Sequence, residues 1–249
     1  MLHFAYMCSQ PLSHVLLERT MNHRFTALAA SMLLAVVPMT ALADDESPIS
    51  WEVTGVSDYV FRGASQSDEN PTVQAGVTYS HDSGFYVGTW ASGVDFGDSK
   101  PEAEVDVFVG YNFDINESVN LDLAINRYVY PDAGDLNYNE LITTTTFADT
   151  YALTIAYSND VWASDTDGWY FAVGREWELP NDFTLAGNVG YSTFDDEVAK
   201  NYLDWSLGVS RAFGPATIGL TYHGTNSSGE YNFGDTGDDR IVLSVSFGN

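Results

Sequence analysis

From Ser50 to the C-terminus, hydrophobicity alternates with a period of two, not 3.6, in about twelve separate runs. In the last run Ile241, Leu243, Val245 and Phe247 alternate with Val242, Ser244 and Ser246. In another, Val119, Leu121, Leu123 and Ile125 alternate with Asn120, Asp122, Ala124 and Asn126. Successive side chains of a strand point to opposite faces, so each run has one large apolar face and one small or polar face. The runs read as strands at roughly 50–62, 71–80, 84–95, 102–113, 118–130, 138–147, 150–158, 168–179, 183–193, 202–213, 216–225 and 239–247. Strands 3 and 6 alternate least cleanly, the latter because Thr143 to Thr146 is a polar run. The prolines beyond residue 43, at 48, 71, 101, 131, 180 and 215, fall at strand edges or in connections, where a residue without a backbone donor is tolerated.

The connections alternate in length. Ser80–Gly84, Asp114–Glu117, Ala148–Asp149, Pro180–Asp182 and Gly214–Pro215 are tight turns. The intervening stretches near 63–70, 96–101, 131–137, 159–167, 194–201 and 226–238 are longer and acidic. An even number of strands with short turns at one end and long loops at the other is the pattern of a bacterial outer-membrane barrel. The competing reading is a soluble two-sheet sandwich, but its solvent face would carry long charged side chains. Here the minor face carries mostly Gly, Ala, Ser, Thr and Asn with scattered acids. The fold class is therefore all-β: an antiparallel up-and-down transmembrane β-barrel of about twelve strands. Aromatic residues near the strand ends fit membrane-interface girdles, among them Trp51, Tyr59, Phe61, Tyr111, Phe113, Tyr128, Tyr130, Tyr138, Phe147, Tyr151, Trp177 and Phe213.

The N-terminus carries an export signal. Met21-Asn22-His23-Arg24 is a basic start, Phe25 to Val37 an apolar core, and Ala41-Leu42-Ala43 a cleavage site before Asp44. That core is too short to span a bilayer. Residues 1–20 read as an upstream extension, 21–43 as the signal peptide and 44–249 as the barrel. The single cysteine, Cys8, falls in the extension, so the exported chain has no thiol or disulfide. With 9 Lys and Arg against 35 Asp and Glu the chain is a polyanion of formal charge −26, which excludes nucleic acid as a partner.

The stretch Ser57-Asp58-Tyr59-Val60-Phe61-Arg62-Gly63-Ala64-Ser65-Gln66 closely resembles the opening motif of the TorF family of outer-membrane porins. The resemblance continues through Pro71, Gln74, Gly76, Tyr79-Ser80-His81 and Gly84-Phe85-Tyr86-Val87-Gly88-Thr89-Trp90. It extends to Glu104, Asp106, Gly110-Tyr111, Tyr130-Pro131 and Asn137-Tyr138-Asn139-Glu140. It implies an outer-membrane channel and names no solute. One departure is the C-terminus, where Gly248 and Asn249 follow the aromatic Phe247 and offset the strand read by the assembly machinery.

If the large residues face lipid, then Glu52, Asp58, Arg62, Gln74, Glu104, Asp106, Asp122, Asn126, Glu176 and Asp204 face the lumen and are the candidate pore-lining set. Seven acids against one base make the charge ring of a cation-preferring pore. Most of these acids would lack basic partners, so burying them dry would be costly and water is expected inside. Arg127 and Arg175 fall on the nominally outward face, which requires either snorkelling or a register slip. Of the two histidines beyond the signal, His81 reads as a turn residue and His223 as an inward-facing wall residue. The acidic loop clusters, such as Asp165 with Asp167, match no calcium-loop spacing. The sequence thus predicts a passive channel for small hydrophilic solutes, with no cofactor and no catalytic or metal site. Its expected partners are outer-membrane lipid, lipopolysaccharide and the barrel assembly machinery. Its rivals are a non-conducting structural or adhesive barrel and a barrel-wall lipid hydrolase using His223.

Overall fold

The structure, a computed structural model, describes residues 47–97 and 101–249. The expected signal peptide, the cleavage after Ala43 and the upstream residues 1–20 lie outside them. Twelve antiparallel strands form one closed sheet. They are β1 (Ile49–Val56), β2 (Thr72–Ser80), β3 (Phe85–Gly93), β4 (Ala103–Asn116), β5 (Val119–Val129) and β6 (Tyr138–Phe147), then β7 (Tyr151–Ser158), β8 (Gly168–Leu179), β9 (Phe183–Phe194), β10 (Tyr202–Phe213), β11 (Ala216–Thr225) and β12 (Arg240–Gly248). Each strand pairs with its successor, and β12 closes on β1 from Glu52↔Gly248 to Val56↔Ser244. Closure leaves no unpaired edge, the condition for a sheet to sit in lipid.

The alternation sorts as the pattern requires. Leu123 and Ile125 are 39% and 54% exposed, while Ala124 and Asn126, which alternate with them, are each 2% exposed. In β6 the polar run does not break the ladder: Thr144 and Thr146 face inward and Thr143 and Thr145 outward, all in register with β5 and β7. Two short turns, Ala148-Asp149 (φ 49° and 54°) and Asn181-Asp182 (φ 65° and 61°), have both central residues left-handed, the twist a two-residue hairpin needs. The two residues after Phe247 do not fray. Gly248 continues the ladder, and the Asn249 side chain accepts from the Trp51 N–H at 2.8 Å and donates to the Ile49 carbonyl at 3.3 Å across the seam.

No register slip is needed for the outward arginines. Arg175 lies over the rings of Tyr151 and Trp177 at 4.4 and 4.9 Å, at the short-turn rim. Arg211 lies likewise over Phe183 and Phe213 at 5.0 and 4.9 Å. Both snorkel within the aromatic girdle. Arg127, also outward, donates to Asn139 at 3.3 Å near the opposite rim.

Three expectations are corrected. The first strand stops at Val56 instead of continuing to residue 62, and the chain beyond it turns into the barrel. Tyr59 and Phe61 are therefore interior residues, and Tyr128, Tyr130 and Tyr138 face them from the wall side, so none of the five belongs to a girdle. The stretch 226–238 is not simply a loop: it carries α1 (Ser227–Phe233), whose first turn is capped by the Asn226 side chain accepting from the Gly229 N–H at 3.3 Å.

Candidate functional site

The chain leaving β1 folds back as a small hairpin in which Val60 pairs with Ser65 and Phe61 with Ala64. Its two turn residues, Arg62 and Gly63, are both left-handed, at φ 47° and 85°. Glycine takes that conformation freely, whereas arginine does so at a cost. A Cβ at position 63 would also collide with the Thr225 and Asp204 side chains, so the tip is wedged against the far wall. Such a hairpin is too short to be stable alone, and it is held by what surrounds it.

Its apolar residues pack inward. Tyr59 and Val60 cluster with Val56, Val94 and Val242, with Trp90 against them. Phe61 packs edge-on against Tyr128, 6.1 Å between centroids. Its polar residues are tied to the wall. Asp58 accepts from Ser65 at 2.6 Å, Ser67 at 3.0 Å and Arg240 of β12 at 2.9 Å. Tyr59 donates to Glu104 of β4 at 2.9 Å. The Arg62 guanidinium makes a two-pronged contact to Glu140 of β6, 2.9 Å on each arm. The Tyr202 hydroxyl donates to the Arg62 carbonyl at 3.1 Å. Burial works against the charge on Arg62, but the Glu140 carboxylate outweighs it and holds the guanidinium above the ordinary arginine range. The hairpin thus crosses the lumen near its long-loop end. Above it α1 sets Phe233 against Tyr202 at 5.2 Å and Trp162 at 5.9 Å.

Four inward carboxylates, Glu104, Asp122, Glu140 and Asp204, also have phenol partners. Glu104 accepts from Tyr130 at 2.8 Å as well as from Tyr59, and Asp122 from Tyr86 at 2.8 Å and Asn112 at 3.3 Å. Glu140 accepts from Tyr128 at 2.8 Å and Asp204 from Tyr170 at 3.2 Å. This revises the expectation that acids without basic partners need water: neutral tyrosine hydroxyls supply the charge-assisted hydrogen bonds. The match is incomplete. Asp106 receives Asn126 at 3.1 Å on one oxygen, while its other oxygen, like single oxygens of Asp204 and Glu176, is buried with no protein partner.

The candidate pore-lining residues therefore occupy two tiers. Gln74, Glu104, Asp106, Asn126 and Asp204 lie on the wall at the level of the hairpin. Glu52, Asp122 and Glu176 lie nearer the short-turn end, with Glu176 opposite Ala186 and Glu52 opposite Gly76. Asp58 and Arg62 are brought to the outer tier from within, on the hairpin, and are not wall residues as the first strand's parity suggested. Sequence reasoning missed Glu140 and Arg240. Both were legible by parity, since Glu140 is opposite Asn126 in register and Arg240 opposite His223. His223 faces the lumen beside Arg240. Among the described residues, no group of three or more His, Cys, Asp or Glu side chains is placed to hold a metal ion.

A family model described as "Bacterial protein of unknown function (Gcw_chp)" matches residues 41–247. No curated protein matches the sequence. Solved barrels share the fold. The KdgM porin, in a structure described as a complex with disordered oligogalacturonate, superposes with a TM-score of 0.54 at 8% identity, over 80% of this chain and 98% of that one. The NanC porin does so with a TM-score of 0.54 at 10% identity, over 79% and 97%. The fold is that of bacterial outer-membrane porins.

Proposed function

We propose that this chain, which belongs to the Gcw_chp family, is an outer-membrane channel for passive diffusion of small hydrophilic solutes and prefers cations. The resemblance of residues 57–140 to TorF porins points the same way. The observation that carries the reading is the charge of the inner wall. Glu52, Glu104, Asp106, Asp122, Glu140, Glu176 and Asp204 face inward, against two guanidiniums among the described residues, Arg62 and Arg240. Both of those are already committed, to Glu140 and to Asp58. A low-dielectric wall focuses the surplus negative field into the lumen and concentrates cations there. The same field disfavours a polyanion such as oligogalacturonate, so the ligand named for the KdgM structure does not transfer to this chain. No step needs a catalytic group, and the inward orientation of His223 takes it away from lipid.

Twelve strands lie between barrels filled by their own side chains and barrels with open channels. The hairpin narrows the outer half, so the route must pass beside it. That hairpin favours a second reading, a structural barrel closed at rest. Planar-bilayer recording of verified folded barrel separates the two. A cation-selective reversal potential under a potassium chloride gradient is expected, moving toward zero in Glu52→Gln/Asp122→Asn/Glu176→Gln. Repeated absence of conductance establishes the closed reading, and anion selectivity defeats the proposed preference.

A further inference from the structure

The contacts of Arg62 have the form of a bound ligand's contacts. Two wall residues meet its guanidinium, and a third, on the next alternate strand, lies beside them. Glu140 of β6 presents both oxygens at 2.9 Å. Tyr170 of β8 presents its ring face, 4.1 Å from centroid to the guanidinium carbon. Asp204 of β10 shares Tyr170 through the 3.2 Å hydrogen bond to its hydroxyl and sits against the adjoining Gly63. A planar fork matched to a carboxylate and stacked on an aromatic face selects guanidinium over a point-charge ammonium. Two further observations mark the fit as that of a stand-in. One Asp204 oxygen is buried, with Asp204 only 4% exposed, and has no protein partner; it lies over Gly190 beside the Tyr170 hydroxyl, an acceptor at the edge of the site that Arg62 does not use. Arg62 also reaches the pocket from a left-handed backbone, φ 47°, a conformation that favours glycine and is strained for other residues.

We propose that Glu140, Tyr170 and Asp204 form a binding site for small organic cations bearing a guanidinium group, and that Arg62 occupies it as a tethered competitor in the resting barrel. A free ligand with a guanidinium at one end and a second cationic group for Asp204 displaces Arg62 and releases the hairpin tip. This deepens the channel reading and rests on it for one thing: the ligand reaches the lumen from water.

The test is isothermal titration of the purified, detergent-folded barrel with agmatine, a guanidinium–ammonium dication, and with cadaverine, a dication of similar length with two ammonium groups. A heat-modifiability gel confirms that each variant is folded. An occupant present at least about 90% of the time weakens apparent affinity at least about tenfold. Arg62→Ala is therefore expected to bind agmatine at least about tenfold more tightly than the parent, with a smaller gain for cadaverine. Arg62→Ala/Glu140→Gln is expected to lose the gain. If Arg62→Ala fails to fold, Arg62→Lys, which keeps a charge but loses the fork, is expected to show an intermediate gain. Unchanged agmatine affinity in folded Arg62→Ala or Arg62→Lys overturns the proposal, as does a gain that survives Glu140→Gln. The channel reading is judged separately, by reversal potential in potassium chloride without agmatine, so either can fail while the other stands.

Discussion

Glu140→Gln should undock the inward hairpin while leaving the barrel intact. The Arg62–Glu140 pair is deeply placed, with side-chain exposures of 10% and 3%, and each arm is 2.9 Å. Removing one member of such a pair leaves an uncompensated buried charge and costs about 3–5 kcal/mol. Glutamine keeps one acceptor oxygen, so the low end, about 3 kcal/mol, is the appropriate figure, equivalent to about two orders of magnitude in a local equilibrium constant. The loss falls on the hairpin because the ladders β5–β6 and β6–β7 do not use the Glu140 carboxylate. Amide hydrogen exchange reads the effect directly. The Gln66 N–H, bonded to the Tyr59 carbonyl at 2.6 Å, and the Tyr59 N–H, bonded to Ser67 at 2.9 Å, should exchange about a hundredfold faster. Amides in the β8–β9 ladder should not change. Unchanged hairpin exchange in a folded variant would show that Glu140 does not hold the hairpin. Equal acceleration in the strands would show that the hairpin is part of the barrel's cooperative unit, not a docked element.

Gly63→Ala combines a left-handed φ of 85° with a collision against Thr225 and Asp204, so it should expose the hairpin amides by about 1–3 kcal/mol. Gly55→Ala, where an added Cβ meets nothing, is the neutral control. Leu123→Arg on the lipid face should cost about 2–4 kcal/mol in urea-dependent folding into vesicles. Ala186→Arg, inward and opposite Glu176 with its unpartnered oxygen, should cost about 1 kcal/mol or less. Ala124 is a poor inward site for the same comparison because it packs against Tyr86 and Phe108. Intact mass of the exported protein should correspond to an N-terminal Asp44, and retention of residues 1–43 would refute the signal assignment.

The barrel was legible because a closed sheet in lipid demands one periodicity from end to end, and no core of other elements can mask it. The hairpin was not, because Val56, Asp58 and Val60 continue the parity of β1 as if the strand ran on. Its local signal was Arg62-Gly63, a two-residue turn, and a turn does not say where its strands lie. What decides the position is a set of partners far along the chain: Tyr128 and Val242 for packing, Glu104 and Glu140 for hydrogen bonds. The phenol partners were hidden for the same reason. Tyr86 lies 36 residues from Asp122, and Tyr170 34 residues from Asp204. Only the register across the intervening strands brings each ring against its acid.

Phenols and guanidiniums are different solutions to one problem. A buried carboxylate needs donors, and an arginine supplies them while cancelling its charge; a tyrosine supplies one and cancels nothing. Where the wall uses tyrosine, at Glu104, Asp122 and Asp204, the acid is satisfied in part and its field persists in the lumen. Where it uses arginine, at Glu140 and Asp58, one member of each pair belongs to the hairpin. Neutralisation is thus confined to the contacts that the hairpin makes. Moving the hairpin out would restore two charges of opposite sign to the wall, with Glu140 freed as Arg62 leaves and Arg240 freed as Asp58 leaves. The net charge of the wall changes little in that exchange, while its distribution changes a great deal: β6 gains an unpaired acid and β12 an unpaired base. A cation entering an undocked barrel would therefore meet an asymmetric outer tier, acidic on the side of Glu104, Asp106 and Glu140 and basic at Arg240. Arg240→Gln should consequently strengthen cation selectivity more in a Glu140→Gln background, where the hairpin is undocked, than in the parent. A larger effect in the parent would mean that Arg240 faces the conducting path with the hairpin in place.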